Sequence, residues 1–171
     1  ITMLLNPARI VIGGGIGITP MFSMLKWSLT EQAGREVWLF YGVRNRHELM
    51  ATTELQTLAS AHPNFHLQIC FSDPLTDDVW GEHFQHHGRV NVGLLRRLLP
   101  LKPYHFYICG PKPMLESLVP ALEARGALVI YVDLWVDRSK SPAALVHEAV
   151  RSTLADLAVP YAALLQWLGP E

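Results

Sequence analysis

The chain has 171 residues, half of them hydrophobic, with 14 basic and 15 acidic side chains and a formal net charge of −1. At about 150 residues per domain this is one globular unit with room for a short appendage, able to bury roughly 70% of its unfolded surface without disulfides or metals. The balanced, interspersed charge leaves no basic footprint for nucleic acid or an anionic membrane, and no uncharged apolar run in the sequence reaches the roughly 18 residues of a spanning helix.

Charged residues make up 17% of the chain, below the usual share of about 25%, so some apolar surface is expected to meet a neighbour. The opening ITMLLNPAR lacks a basic leader and a long apolar core, which reads as a cytoplasmic protein. Its first residue is Ile1, so the chain is expected to be either processed or, in preference, cut from something longer with a neighbour on the N-terminal side. Cys70 and Cys109 do not make a secreted disulfide framework and are expected to be reduced.

In chain order, residues 8–14 (ARIVIGG) form a short β-branched run ending in glycine, followed from Thr19 to about Ala33 by apolar residues at helical spacing. Residues 36–43 (EVWLFYGV) read as a second strand, and residues 47–61 as a helix with Leu49, Met50, Leu55 and Leu58 near one face. A third strand spans residues 64–72, and a long polar loop with three histidines runs from Asp73 to Gly88. A helix over 91–99, a strand over 104–108, a helix over 113–125 stopped by Gly126 and a fifth strand over 128–135 complete the alternation. Strands alternating with helices imply right-handed crossovers. The expected fold is therefore α/β, a doubly wound parallel five-stranded sheet in the order 3-2-1-4-5.

After residue 135 the alternation stops, which divides the chain into a domain over 1–135 and a C-terminal helical extension over 136–171. Ser141-Pro142 would start its helix, with Val146, Val150, Leu154, Leu157, Tyr161, Leu164 and Leu168 forming an apolar stripe and Pro160 breaking or kinking it. The stripe either packs on its own domain or docks on a partner; a homodimer through residues 141–168 is one form of the second case.

The strongest local signal is GGGIGITP, residues 13–20, between a strand and a helix. Glycine lets backbone approach a phosphate closely, and a helix start attracts anions through its amides and dipole. Thr19 as N-cap and Pro20 at the first helical position would define that start. Gly14, Gly15, Gly17, Thr19 and Pro20 are thus candidate pyrophosphate contacts. Ile18 stands where the dinucleotide fingerprint has its last glycine, so a simple Rossmann reading does not apply. The second signal is CGPKPM, residues 109–114, directly after the fourth strand. Winding reverses between the first and fourth strands of such a sheet, so the two loops flank one crevice. Gly110, Pro111 and Met114 become further candidate contacts.

With IVIGGGIGITPMFSML at 10–25, VWLFYGVRNRHEL at 37–49, GRV at 88–90 and CGPKPM at 109–114, the sequence resembles the nicotinamide-dinucleotide domain of the ferredoxin–NADP reductase superfamily, which includes many oxygenase reductases. The resemblance covers residues 8–135. It implies NAD(P)H across the crevice, pyrophosphate on Gly14, Gly15, Gly17 and Thr19, and nicotinamide beside Cys109, which would help orient the ring rather than act as nucleophile or acid. Hydride would pass to FAD or FMN held by a preceding β-barrel domain that this sequence does not contain, and electrons would go on to an iron–sulfur or haem acceptor. Cofactor chemistry needs that flavin, so this chain alone would bind and hardly catalyse. No plant-type C-x₄-C-x₂-C cluster follows, and YVDLW offers Tyr131, Asp133 and Trp135 as a loose match to the family's last strand.

An acidic residue after the second strand would bond the ribose 2′-hydroxyl of NAD, whereas an arginine would accept the 2′-phosphate of NADP. The turn carries Arg44 and Arg46 and no carboxylate before Glu48, which leans to NADP(H), although either arginine could serve an NADH enzyme by stacking on adenine or lie in solvent. His83, His86 and His87 read as surface histidines rather than metal ligands, and Trp80 as a cap on the core or, with Gly81, as part of the loop over the crevice. A non-catalytic dinucleotide sensor or protein-interaction module is the alternative to a reductase.

Overall fold

The computed structural model describes residues 7–32 and 34–132. In chain order they form β1 (Ala8–Gly14), α1 (Ile18–Glu31), β2 (Val37–Val43), α2 (Thr52–Ala61), β3 (Phe65–Phe71), β4 (His86–His87), α3 (Val92–Leu98), β5 (Tyr104–Cys109), α4 (Lys112–Glu123) and β6 (Leu128–Val132). The six strands lie in the order β4-β3-β2-β1-β5-β6, and every neighbouring pair is parallel. The five-stranded doubly wound order expected from the alternation is contained in this sheet. The difference is β4: within the stretch read as loop, His86 and His87 pair with Cys70 and Phe71 and extend the edge.

Burial follows from position in the sheet. All seven residues of β1 are buried, as expected for a central parallel strand covered on both faces, and this accounts for the continuous run Ile10-Val11-Ile12. Val11, Leu39, Tyr41 and Phe71 face α1 and α2, where Met21, Leu25 and Leu29 from α1 and Leu55 from α2 meet them. Ile10, Ile12, Phe40 and Ile108 face α3 and α4, whose Leu94, Leu95, Leu115, Leu118, Val119 and Leu122 complete the second layer. In α4 the spacing Leu115, Leu118, Val119, Leu122 is one helical face. Pro120 sits on its exposed side, and Gly126, at φ +73°, follows the end of the helix.

Several boundaries differ from the sequence reading. Helix α1 begins at Ile18 with Gly17 as its N-cap, and no side chain caps it, so Thr19 is not the cap but lies inside the first turn with Pro20 after it. A tight 3₁₀ turn over Gly15–Gly17 runs straight into the helix and moves its start forward. Helix α2 begins only at Thr52, because residues 46–48 form a separate 3₁₀ turn and Ala51 takes a left-handed φ of +55°. Leu49 still packs on the core, but Met50 is exposed. Trp80 does not cap the core: it is 71% exposed, its indole N–H donating to the Gln85 carbonyl, and Phe84 stacks on Phe71 instead. Among the described residues no helix is long and apolar enough to cross a membrane. The 141–168 stripe, Asp133, Trp135 and the boundary at residue 135 lie outside the described residues.

Candidate functional site

The register of the sheet places the two signal loops side by side. Gly13 of β1 pairs with Cys109 of β5 on one flank, and Gly14 pairs with Gly42 of β2 on the other. The chain leaves β1 and β5 at the same end of the sheet, where strand order reverses, and the segments 14–17 and 109–111 touch. A Cβ on Gly17 would fall on the Cys109 carbonyl, 2.6 Å from its carbon and 2.9 Å from the Cα of Gly110. A Cβ on Gly14 would meet the Met114 sulfur at 2.6 Å and the Pro111 ring at 2.8 Å, and one on Gly110 the same sulfur at 2.6 Å. Gly14, Gly17 and Gly110 therefore sit where the loops are in contact, with the Met114 thioether against Gly14 and Gly110.

Gly15 is different. Its φ is +53°, a left-handed conformation that glycine adopts without strain, and among the described residues an added Cβ would meet nothing within 4 Å beyond its chain neighbours. Of the candidate glycines in the loop, this is the one that opens onto free space. It lies at the start of α1, whose first-turn amides have no side-chain cap. Positive helix-end dipole, open backbone and absence of a side chain combine there into a place where an anion can approach the backbone. Thr19 is exposed beside it and Pro20 is partly buried.

Cys109 ends β5 with its thiol turned into the core, 1% exposed, among Val11, Ile18 and Met21. Cys70 is equally buried, and burial pushes its thiol up to about 12, so it stays protonated and unreactive. Three strand spacings separate β3 from β5, about 14 Å, far beyond the reach of a disulfide between these two residues. The histidines do not converge either. His83 Nδ1 accepts from the Val79 N–H, His86 Nε2 bonds Gln68, and among the described residues no group of three potential ligands is placed to hold a metal.

At the far side of β1, the turn after β2 carries more negative charge than its sequence shows. Glu48 reaches back to residue 44, accepting from the Arg44 N–H at 3.0 Å and from its guanidinium at 2.5 Å. Those bonds, the backbone one foremost, hold the Glu48 carboxyl below its ordinary range against the opposing effect of burial. Tyr41, buried in β2, fixes this turn by donating to the Glu48 carbonyl and accepting from the Met50 N–H. Arg46 is bound by the Asp77 carboxylate and lies 3.5 Å from Asp78, whose side chain is fully buried. Asp73 N–H to the Arg44 carbonyl, at 2.9 Å, ties the two loops further.

Residues 11–119 match the family described as the oxidoreductase NAD-binding domain. The chain belongs to that family. It is 32% identical over 117 residues to a flavohemoprotein of Rhodopirellula baltica, covering 68% of this chain and 29% of that protein. To a component of the Na(+)-translocating NADH-quinone reductase of Neisseria meningitidis it is 31% identical over 119 residues, again 68% of this chain and 29% of the relative. The chain thus spans less than a third of the length of either. Among solved structures, the cytochrome b5 reductase domain of Ulva prolifera nitrate reductase superposes with a TM-score of 0.59 at 28% identity, over 70% of this chain and 45% of that one. The resemblance to the nicotinamide-binding domain of the ferredoxin–NADP reductase superfamily holds on sequence and on fold.

In this NAD-binding domain the structure brings Gly14 and Gly17 against Cys109, Gly110, Pro111 and Met114, leaves Gly15 open, sets Thr19 and Pro20 in the first turn of α1 and places Arg44 and Arg46 one strand away. Sequence reasoning missed Glu48, Asp77 and Asp78 as neighbours of those arginines. Glu48 could have been found from its spacing of four from Arg44. Asp77 and Asp78 lie more than thirty residues from Arg46, so only the parallel pairing of β2 with β3 brings them to it.

Proposed function

We propose that this chain is the nicotinamide-nucleotide-binding part of a flavin-dependent oxidoreductase. It holds NAD(P)H across the ends of β5, β1 and β2, with pyrophosphate on residues 14–19, nicotinamide at the β5 end near Cys109 and Gly110, and adenosine ribose by the turn after β2. The nicotinamide supplies a hydride to FAD or FMN carried on a separate domain, and electrons pass on to a haem or iron–sulfur acceptor. The observation that carries this reading is the Gly15 cradle at the point where strand order reverses, directly against the segment that follows β5. The names of two relatives support the general kind of chemistry: flavin and haem are in the name of one, and NADH and reduction of a quinone in the name of the other.

Within that reading the nucleotide is NAD(H) rather than NADP(H). Two arginines alone favour a 2′-phosphate, but both are already paired, and three carboxylates surround them. A 2′-phosphate would have to displace Glu48 and Asp77 from their guanidinium partners, whereas a neutral 2′-hydroxyl can donate to a carboxylate.

Calorimetric titration of the chain with NAD⁺ and NADP⁺ at low salt tests both statements. Saturable binding of both is expected, with NAD⁺ tighter by about tenfold, the scale of one charge-assisted hydrogen bond. Asp77→Asn should then improve NADP⁺ about tenfold relative to NAD⁺, since it leaves Arg46 with one carboxylate fewer. Tighter NADP⁺ binding by the parent chain would reverse the nucleotide assignment. A folded chain that binds neither would point to an interaction module.

A further inference from the structure

The other end of the sheet holds a second concentration of positive charge. Arg9, near the start of β1, is 3% exposed. Its guanidinium lies between the rings of Trp27 and Tyr107, at 5.2 and 5.9 Å from their centroids, and donates to the Ser28 hydroxyl. Its Nε is buried without a partner, as is the Nε of Arg35 in the link between α1 and β2. His105 of β5 stands opposite Arg9 in the parallel register, which puts the two side chains on the same face of the sheet. The carboxylate nearest in the chain, Glu36, is engaged elsewhere, by Lys102 and by the Trp38 indole N–H. Among the described residues, neither Arg9 nor Arg35 makes an ion pair with a carboxylate.

Buried guanidinium groups are costly unless a counter-charge and hydrogen-bond acceptors answer them. Two rings and the hydroxyls of Ser28 and Tyr107 answer Arg9 in part, and the Nε atoms of Arg9 and Arg35 stay without an acceptor. We propose that Arg9, Arg35 and His105, with the Tyr107 hydroxyl, form an oxyanion site that takes a phosphate or carboxylate group. Two guanidinium forks and an imidazole supply donors in the planar geometry that such groups accept. The backbone brings the cations to one place, since the Arg9 N–H donates to the carbonyl of Glu36, the neighbour of Arg35, at 3.0 Å. Burial foremost lowers the basicity of Arg9 and of His105, with Arg35 adding to it in both and Tyr107 opposing it at Arg9. An anion removes that repulsion. The site is distinct from the nucleotide cradle, because Arg9 and Gly14 are five residues apart along one strand, about 16 Å.

The test is thermal unfolding of the full chain against inorganic phosphate, and separately acetate, at constant ionic strength with chloride as the balancing ion. Gly15→Val serves as the background, so that phosphate on the nucleotide loop does not contribute. A saturable rise of about 5 °C at 50 mM is expected for a millimolar site, and the stronger of the two anions identifies the ligand as phosphate or carboxylate. Arg35→Gln should abolish the rise. In the parent background the same substitution should leave NAD⁺ affinity unchanged. Arg9→Met, which replaces the buried charge by an apolar chain of similar length, should be at least as stable as its parent without phosphate and should not respond to it. An equal rise in the Arg35→Gln and Arg9→Met variants, or no rise beyond that in chloride, overturns the proposal. So does a loss of NAD⁺ binding in Arg35→Gln.

Discussion

Replacing Gly17 with Ala should lower the stability of the domain by about 3 kcal/mol, seen as a fall of roughly 6–12 °C in Tm for a chain of this length. Two effects oppose one another at this position. Gly17 has φ −61° and ψ −8°, an ordinary helical conformation, so alanine would gain up to about 1 kcal/mol from reduced freedom of the unfolded chain. Against this, its methyl carbon would sit 2.6 Å from the Cys109 carbonyl carbon and 2.9 Å from the Gly110 Cα. Both are backbone atoms, so no rotamer change relieves the contact, and relief requires the loops after β1 and β5 to separate. The steric term wins. A thermal melt of Gly17→Ala equal to that of the parent, or higher, would mean that the loops do not abut as described.

The alternation of strand and helix is legible because each half of the pattern has its own period. Runs such as Ile10-Val11-Ile12 and Leu39-Phe40-Tyr41 mark strands buried on both faces, and Leu115, Leu118, Val119 and Leu122 repeat at helical spacing. From these, with the handedness of crossovers, the order of the five main strands follows. Short elements carry too few residues for a period to show. The strand at His86–His87 exists because Cys70 and Phe71 at the edge of β3 offer unpaired backbone groups, a property of the partner rather than of the two histidines.

The same distinction separates what is and is not visible at the site. Glycine-rich residues 13–17 announce an unusual backbone, but composition does not say which glycine serves a ligand and which serves packing. Gly14 and Gly17 give way to residues 109–114, nearly a hundred positions later in the chain. Thr19 resembles a helix cap because its residue type favours that place, yet the 3₁₀ turn before it has already started the helix. The charge of the turn after β2 is hidden for a related reason: Arg44 and Arg46 are local, while Asp77 and Asp78 arrive by strand pairing. Trp80 reads as a core residue on its size alone. Its indole N–H instead finds the Gln85 carbonyl at 3.0 Å, which leaves the smaller Phe84 to fill the space over Phe71.

Gly15→Val should abolish dinucleotide binding, a loss of at least about 100-fold, while the domain stays folded by circular dichroism. At φ +53° a β-branched residue is strained by about 1–2 kcal/mol, so Tm should fall by only a few degrees. Among the described residues no atom beyond the chain neighbours lies within 4 Å of the new Cβ, so the substitution starts from open space rather than from a packed one. It would instead project into the space from which a pyrophosphate approaches the helix start and keep phosphate oxygens from the backbone amides. Gly15→Ala separates strain from obstruction: it carries the left-handed backbone penalty with a smaller side chain, and should bind with an intermediate affinity. The measurement is a calorimetric titration with NAD⁺ at low salt, where phosphate contacts are least screened. Normal binding by Gly15→Val would move the pyrophosphate off this loop and with it the assignment of nicotinamide to the β5 end. Loss of binding with retained fold, set beside the loss of stability in Gly17→Ala, would divide the glycines of one loop between two tasks: Gly17 holds the two halves of the crevice together, and Gly15 keeps it open for the nucleotide.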